Sequence, residues 1–140
     1  MRAGFGRMAI TPHKPMKMAG FDRRSQPAQG TLEDLYVTVL ALQNGEEAPF
    51  LLCSFDLLGT DRTLCEKVRQ ALPLPLERVW VCATHTHAGP ACGILKDLPV
   101  NHIYWDNVGR LIAKTVEKAR ENRVAGEFRF ALGDELTLSY

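Results

Sequence analysis

The sequence predicts an α/β fold in which a mixed sheet with a hairpin and a strand-helix-strand crossover is flanked by two helices, all within a single domain spanning residues 1–140. Three observations predict it. Leu32–Leu42 and Phe50–Phe55 are apolar runs separated by Gln43–Pro49, and the Asn44-Gly45 pair inside that connection is a strong hairpin signal. Asp61–Leu72 carries Leu64, Cys65, Val68 and Leu72 at helical spacing and lies between the runs Phe50–Phe55 and Val79–Ala83. Two strands so joined should be parallel and connected right-handedly. Asn101–Asn122 holds the longest helical pattern, with Trp105, Val108, Leu111, Ile112, Thr115, Val116 and Ala119 as its apolar stripe. A chain of 140 residues suits one domain with a real core and is short for two.

Taken in order, Gly4–Ile10 is a weak strand anchored by Phe5, Met8 and Ile10. Thr11-Pro12-His13-Lys14-Pro15 breaks regular structure, because each proline removes a donor and restricts the residue before it. His13 is read as a solvated loop side chain. Met16–Gly30 shows no periodicity, and a loop of that length in a small domain is often functional, here as a cover for a site. In Leu32–Leu42 the set Leu35, Val37, Val39 and Ala41 alternates with Tyr36, Thr38, Leu40 and Leu42, so both faces of the strand are usable. Asp56 closes the next strand, where a carboxylate caps a turn, binds a cation or hydrogen-bonds a histidine. Thr60 or Asp61 should cap the first helix, and Pro73-Leu74-Pro75 stops it. Asn101 should cap the second, with His102 and Tyr104 in its first turn read as surface or packing residues. Glu127–Ala131 alternates like another strand, and Leu136–Tyr140 reads as one more that stops without a breaker. The expectation is a truncated fold with an uncovered sheet edge or apolar face, and hence a homo-oligomer.

Composition narrows the partners. The formal charge is +1 with scattered lysines and arginines, which argues against nucleic acid and leaves a small molecule as the expected partner. No run reaches the length of a membrane span, and Met1–Arg7 lacks the apolar core of a secretion signal, so a cytoplasmic protein is expected. None of Cys53, Cys65, Cys82 and Cys92 forms a pair at two-residue spacing, which gives neither a zinc ribbon nor a redox motif. Cys53 and Cys82 are expected to be inert core thiols, and Cys92 is the one thiol to test for reactivity, as the nucleophile of a cysteine hydrolase.

The candidate site is Val79–Pro90, a continuous apolar run that opens into Thr84-His85-Thr86-His87 and ends at Gly89-Pro90. Continuous apolarity suggests a strand covered on both faces. Residues at i and i+2 of an extended chain share a side, so His85 and His87 should face one way and Thr84 and Thr86 the other. One histidine near a turn is usually a hydrogen-bonded structural group. Two in alternation at the carboxyl end of a strand favour a metal or an acyl oxygen, since open α/β sheets bind ligands at that edge. In a parallel pairing Asp56 would lie at the same edge.

Ile10-Thr11-Pro12, Met18-Ala19-Gly20-Phe21, Leu35-Tyr36-Val37, Asp56 and Thr84–Pro90 together, in that order, resemble the amino-terminal part of the neutral/alkaline ceramidase family. The resemblance implies a zinc-dependent hydrolase cleaving the N-acyl bond of ceramide or a similar lipid amide. It implies His85 as the first zinc ligand and His87 as an active-site histidine acting on the substrate. Gly20 and Gly89 are expected to bind the substrate, and Asp56, Thr84 and Thr86 to be outer partners of the metal ligands or further ligands themselves. The family's remaining zinc ligands, a His, a Glu and a Tyr, would lie downstream of Tyr140, so the hydrolase is expected to be incomplete in this chain. The alternative is a non-catalytic or truncated domain whose site another chain or subunit completes.

Overall fold

A computed structural model describes residues 1–21, 23–91 and 101–133. Its strands are β1 (Arg2–Ala9), β2 (Tyr36–Gln43), β3 (Phe50–Phe55), β4 (Val79–Ala83) and β5 (Val124–Ala125), and its helices are α1 (Arg62–Ala71) and α2 (His102–Glu121). They form a five-stranded sheet in the order β4-β3-β2-β1-β5. The Asn44-Gly45 connection makes β2 and β3 an antiparallel hairpin, and Gly45 takes the left-handed φ of 54° that this turn needs. The α1 crossover sets β3 and β4 parallel, with Phe55 opposite Ala83. The mixed sheet, hairpin, crossover and two helices therefore stand as expected.

Local chemistry explains where the helices start. The Asp61 carboxylate accepts the Leu64 N–H at 2.7 Å, and the Asn101 side chain accepts that of Tyr104 at 3.0 Å. Each satisfies one donor that the first helical turn leaves without a partner. Both helices cover the same sheet face. Val37, Val39 and Ala41 of β2 and Leu51, Cys53 and Phe55 of β3 pack there with Leu64, Val68, Trp105, Val108 and Ile112, all of them fully buried. Burying one large apolar side chain contributes roughly 1.5–3 kcal/mol, so this layer is the main source of stability. β1 adds close approach instead of bulk: a Cβ on Gly4 or Gly6 would collide with the carbonyl oxygens of Ala119 and Thr115 in α2. Tyr104 then ties the start of α2 to the end of β1 by donating its hydroxyl to the Ile10 carbonyl at 2.9 Å.

Several expectations change. The first strand begins at Arg2 and ends at Ala9, and the second begins at Tyr36 because Leu32–Asp34 is exposed loop. β4 is not covered on both faces. It is an edge strand whose side chains alternate in exposure, with Trp80 at 63% and Cys82 exposed, so Cys82 is no core thiol. Its apolar outward residues extend a second sheet face: Trp80 meets the Phe50 ring edge-on at 5.1 Å, and Phe5, two strands further along the sheet, is 54% exposed. Among the described residues no element packs over that face. Glu127–Ala131 is irregular and exposed. Among the described residues the outer edge of β1 is joined only by Val124–Ala125, and the alternating segment that follows pairs with no described strand. The expected strand at Leu136–Tyr140 and the reactivity of Cys92 lie outside the described residues. No described helix is long and apolar enough to cross a membrane.

Candidate functional site

Three elements converge where β3 and β4 end. The Thr84 N–H continues the parallel ladder by donating to the Phe55 carbonyl at 2.9 Å. Beyond it the chain stops being a strand, because His85 has φ 62°, a left-handed conformation that costs an L-residue about 1–2 kcal/mol. His85 and His87 nevertheless come together, with ring centroids 5.0 Å apart and planes at 71°. The turn at His85, and not strand alternation, accomplishes this.

The His85 imidazole is oriented by the chain that follows β3. Its Nδ1 lies 2.7 Å from the Leu58 carbonyl oxygen. A carbonyl only accepts, so Nδ1 carries a proton, and the tautomer with Nε2 unprotonated leaves that nitrogen as the ring's acceptor. Histidine ligands of metals are typically held in this way by a second hydrogen bond. His85 is exposed and His87 half-buried.

The long loop does lie against this site. Ala19 N–H donates to the Gly89 carbonyl at 3.1 Å, and Ala91 N–H to that of Lys17 at 2.8 Å. Gly20 lies so close to His87 that a Cβ there would sit 2.5 Å from its Cγ, and its φ of 103° is one that side chains resist. Phe21 meets the His87 ring edge-on at 5.2 Å. Arg24 donates from Nη1 to the His87 carbonyl at 2.9 Å and more weakly to that of Ala19 at 3.5 Å. The lack of periodicity in Met16–Gly30 marked a loop but gave no signal that Phe21 and Arg24 would meet His87.

The remaining candidates serve the opposite side of the segment. The Asp56 carboxylate accepts the Tyr36 N–H at 2.9 Å through Oδ2 and the Thr84 hydroxyl at 3.2 Å through Oδ1. Asp56 is thus at the expected sheet edge and joins β2, β3 and the end of β4. The Thr86 hydroxyl accepts the Ala88 N–H at 3.2 Å and closes a short turn. Asp56, Thr84, Thr86 and Gly89 line a cavity of about 770 Å³ whose other wall is formed by segments 11–18 and 28–35. The two histidines do not line it; they form a shallower group with Phe21. His13 is an exposed loop residue at the cavity, and His102 is exposed at the start of α2.

Zinc can be weighed against these donors. Two adjacent imidazoles, one with its free nitrogen already directed, match part of a zinc shell, whereas a catalytic zinc takes three protein ligands and keeps one position open. Among the described residues no group of three or more His, Cys, Asp or Glu is placed to hold a metal. Burial pushes the thiol pKa of Cys53 up to about 12, with the Cys82 thiol adding to the effect, so Cys53 is no source of thiolate.

The fold is similar to that of two solved ceramidase structures. Neutral ceramidase from Pseudomonas aeruginosa superposes with a TM-score of 0.74 at 20% identity, over 87% of this chain and 22% of that one. A ceramidase complexed with C2 superposes with a TM-score of 0.73 at 20% identity, over 87% of this chain and 21% of that one. The chain thus spans about a fifth of the length of either neighbour. No protein-family model matches the chain, and no curated protein matches it in sequence.

Proposed function

We propose that this chain is a ceramidase-like part of a zinc-dependent hydrolase that cleaves a linear amide, an N-acyl lipid being the substrate class that the structural neighbours suggest. The observation that carries the reading is the imidazole pair: rings 5.0 Å apart, with Nδ1 of His85 committed to the Leu58 carbonyl so that Nε2 remains for a metal. In this reading His85 is a zinc ligand, His87 acts on the substrate beside it, and the other ligands come from outside the described residues. Bound zinc lowers the pKa of its water to about 7 and polarises the amide carbonyl. The chain's own residues hold that chemistry in place. Leu58 orients the His85 ring, Gly20 lets the loop pack directly on His87, Gly89 anchors the loop, and Thr84 with Asp56 secures the end of β4.

Zinc content after dialysis is the direct test, measured by elemental analysis on wild type and His85→Ala. Wild type is expected to retain zinc that the variant loses. Equal background levels in the two proteins would remove the metal reading.

A second reading, in which the chain is a non-catalytic unit completed by another copy, is supported by a different observation. The sheet face bearing Phe5, Phe50 and Trp80 is apolar and has no described element over it. Apolar faces of this kind drive association. A homo-oligomer formed through it would leave the imidazole pair accessible at the far end of β4.

A further inference from the structure

The Arg24 side chain has no part in the zinc-ligand reading, yet it contacts Ala19, Phe21 and His87 on the loop side of the site. Its Nη1 donates to the carbonyls of His87 and Ala19, which brackets Gly20 and the histidine packed on it. Its guanidinium carbon lies 4.7 Å from the centroid of the Phe21 ring, within the range of a cation–π contact. Phe21 in turn meets His87 edge-on, and His87 meets His85 in the same manner. The turn that brings Arg24 back toward Phe21 is closed by its own N–H, which donates to the Phe21 carbonyl at 3.0 Å.

We propose that Arg24 is the positioning residue of His87 in the imidazole pair, clamping its backbone from the carbonyl side and its ring through Phe21; the proposal rests on the reading of His85 as a zinc ligand with His87 acting on the substrate beside it. Physical chemistry favours arginine for this task. One planar group bonds two carbonyls and covers an aromatic face at the same time, while a lysine ammonium is a point charge that supplies a hydrogen bond without the stacked plane. The His85 ring has its own partner in the Leu58 carbonyl, so loss of Arg24 is expected to move the His87 ring and not the ligating imidazole. The side chain is half-buried in a surface loop and lies outside the apolar core, so its removal is expected to leave the folded sheet intact.

Two measurements on wild type, Arg24→Ala, Arg24→Lys and His85→Ala test the proposal. Zinc titration against a competing chelator is expected to show Arg24→Ala and Arg24→Lys within about twofold of wild type, because His85 keeps its Leu58 partner. Nitrogen-detected NMR of the imidazoles in metal-free protein is expected to show the His87 ring signals displaced in Arg24→Ala, while the Nδ1–H of His85 keeps its bonded shift. Unchanged His87 signals in Arg24→Ala overturn the proposal whatever the zinc result, as does a displaced Nδ1–H signal of His85 with lowered zinc affinity, which would mark a general loss of structure in the segment. If wild type and His85→Ala bind zinc equally weakly, the metal reading fails on its own and the His87 signals alone decide the role of Arg24. Should Arg24→Ala fail to fold, Arg24→Lys applies the same criteria.

Discussion

At the scale of single residues the site depends on backbone conformations that side chains resist. His85 holds φ 62° and Gly20 holds φ 103°, and the two positions face each other across His87. Histidine tolerates the left-handed region better than most residues, and the bond from Nδ1 to Leu58 supplies a local reason for it to remain there. This gives a test that separates backbone from imidazole. His85→Gly and His85→Ala both remove the ring, but only glycine relaxes the backbone, so His85→Gly is expected to be the more stable by roughly 0.5–1 kcal/mol. Urea denaturation of the two variants measures the difference. Equal stabilities would mean that the left-handed turn is not held in solution.

Elements follow their periodicity where a partner is present to complete them. Both helices match their apolar stripes because a helix makes its own hydrogen bonds and needs only one face covered. Strands depend on neighbours. Val79–Ala83 read as doubly covered from its composition, yet as β4 it lies at the sheet edge with Trp80 facing out. Glu127–Ala131 alternates as a strand would and has no described strand beside it. The weak strand at the start proved well paired, because its glycines admit the backbone of α2 instead of filling space themselves. Gly6→Val is therefore expected to cost at least 1–3 kcal/mol in chemical denaturation through forced separation of α2 and β1. Gly30→Val, at a position with nothing within 4 Å of a Cβ, is expected to be close to neutral. Similar costs at both positions would contradict the packing described for α2.

For the molecule as a whole, the described helices cover one side of the sheet and no described element covers the other. Phe5 and Trp80 stand on the open side at 54% and 63% exposure. In the reading where two copies associate through this face, Trp80→Glu is expected to weaken self-association at least about tenfold, since burying a large apolar side chain is worth roughly 1.5–3 kcal/mol. Light scattering of wild type and variant across micromolar concentrations checks this. A wild-type protein that stays monomeric throughout would exclude the assembly. Association through this face and zinc binding at the histidines are independent, so the His85→Ala variant should associate as wild type does.

What could be known from sequence alone was local. The hairpin followed from Asn44-Gly45, the helix starts from Asp61 and Asn101, and the approach of Asp56 to the histidine segment from a parallel crossover, because turn chemistry, capping and strand direction are written in neighbouring residues. The candidate pair was legible too, as two imidazoles next to each other in the chain. Tertiary structure alone decided how they meet and what holds them. The left-handed turn at His85, the contact of Gly20 with His87, the reach of Arg24 across the loop and the separation of the threonine-lined cavity from the imidazoles all join segments far apart in the chain. Such contacts are set by the packing of β3, β4 and the loop against one another, and no short-range pattern of residue types encodes them.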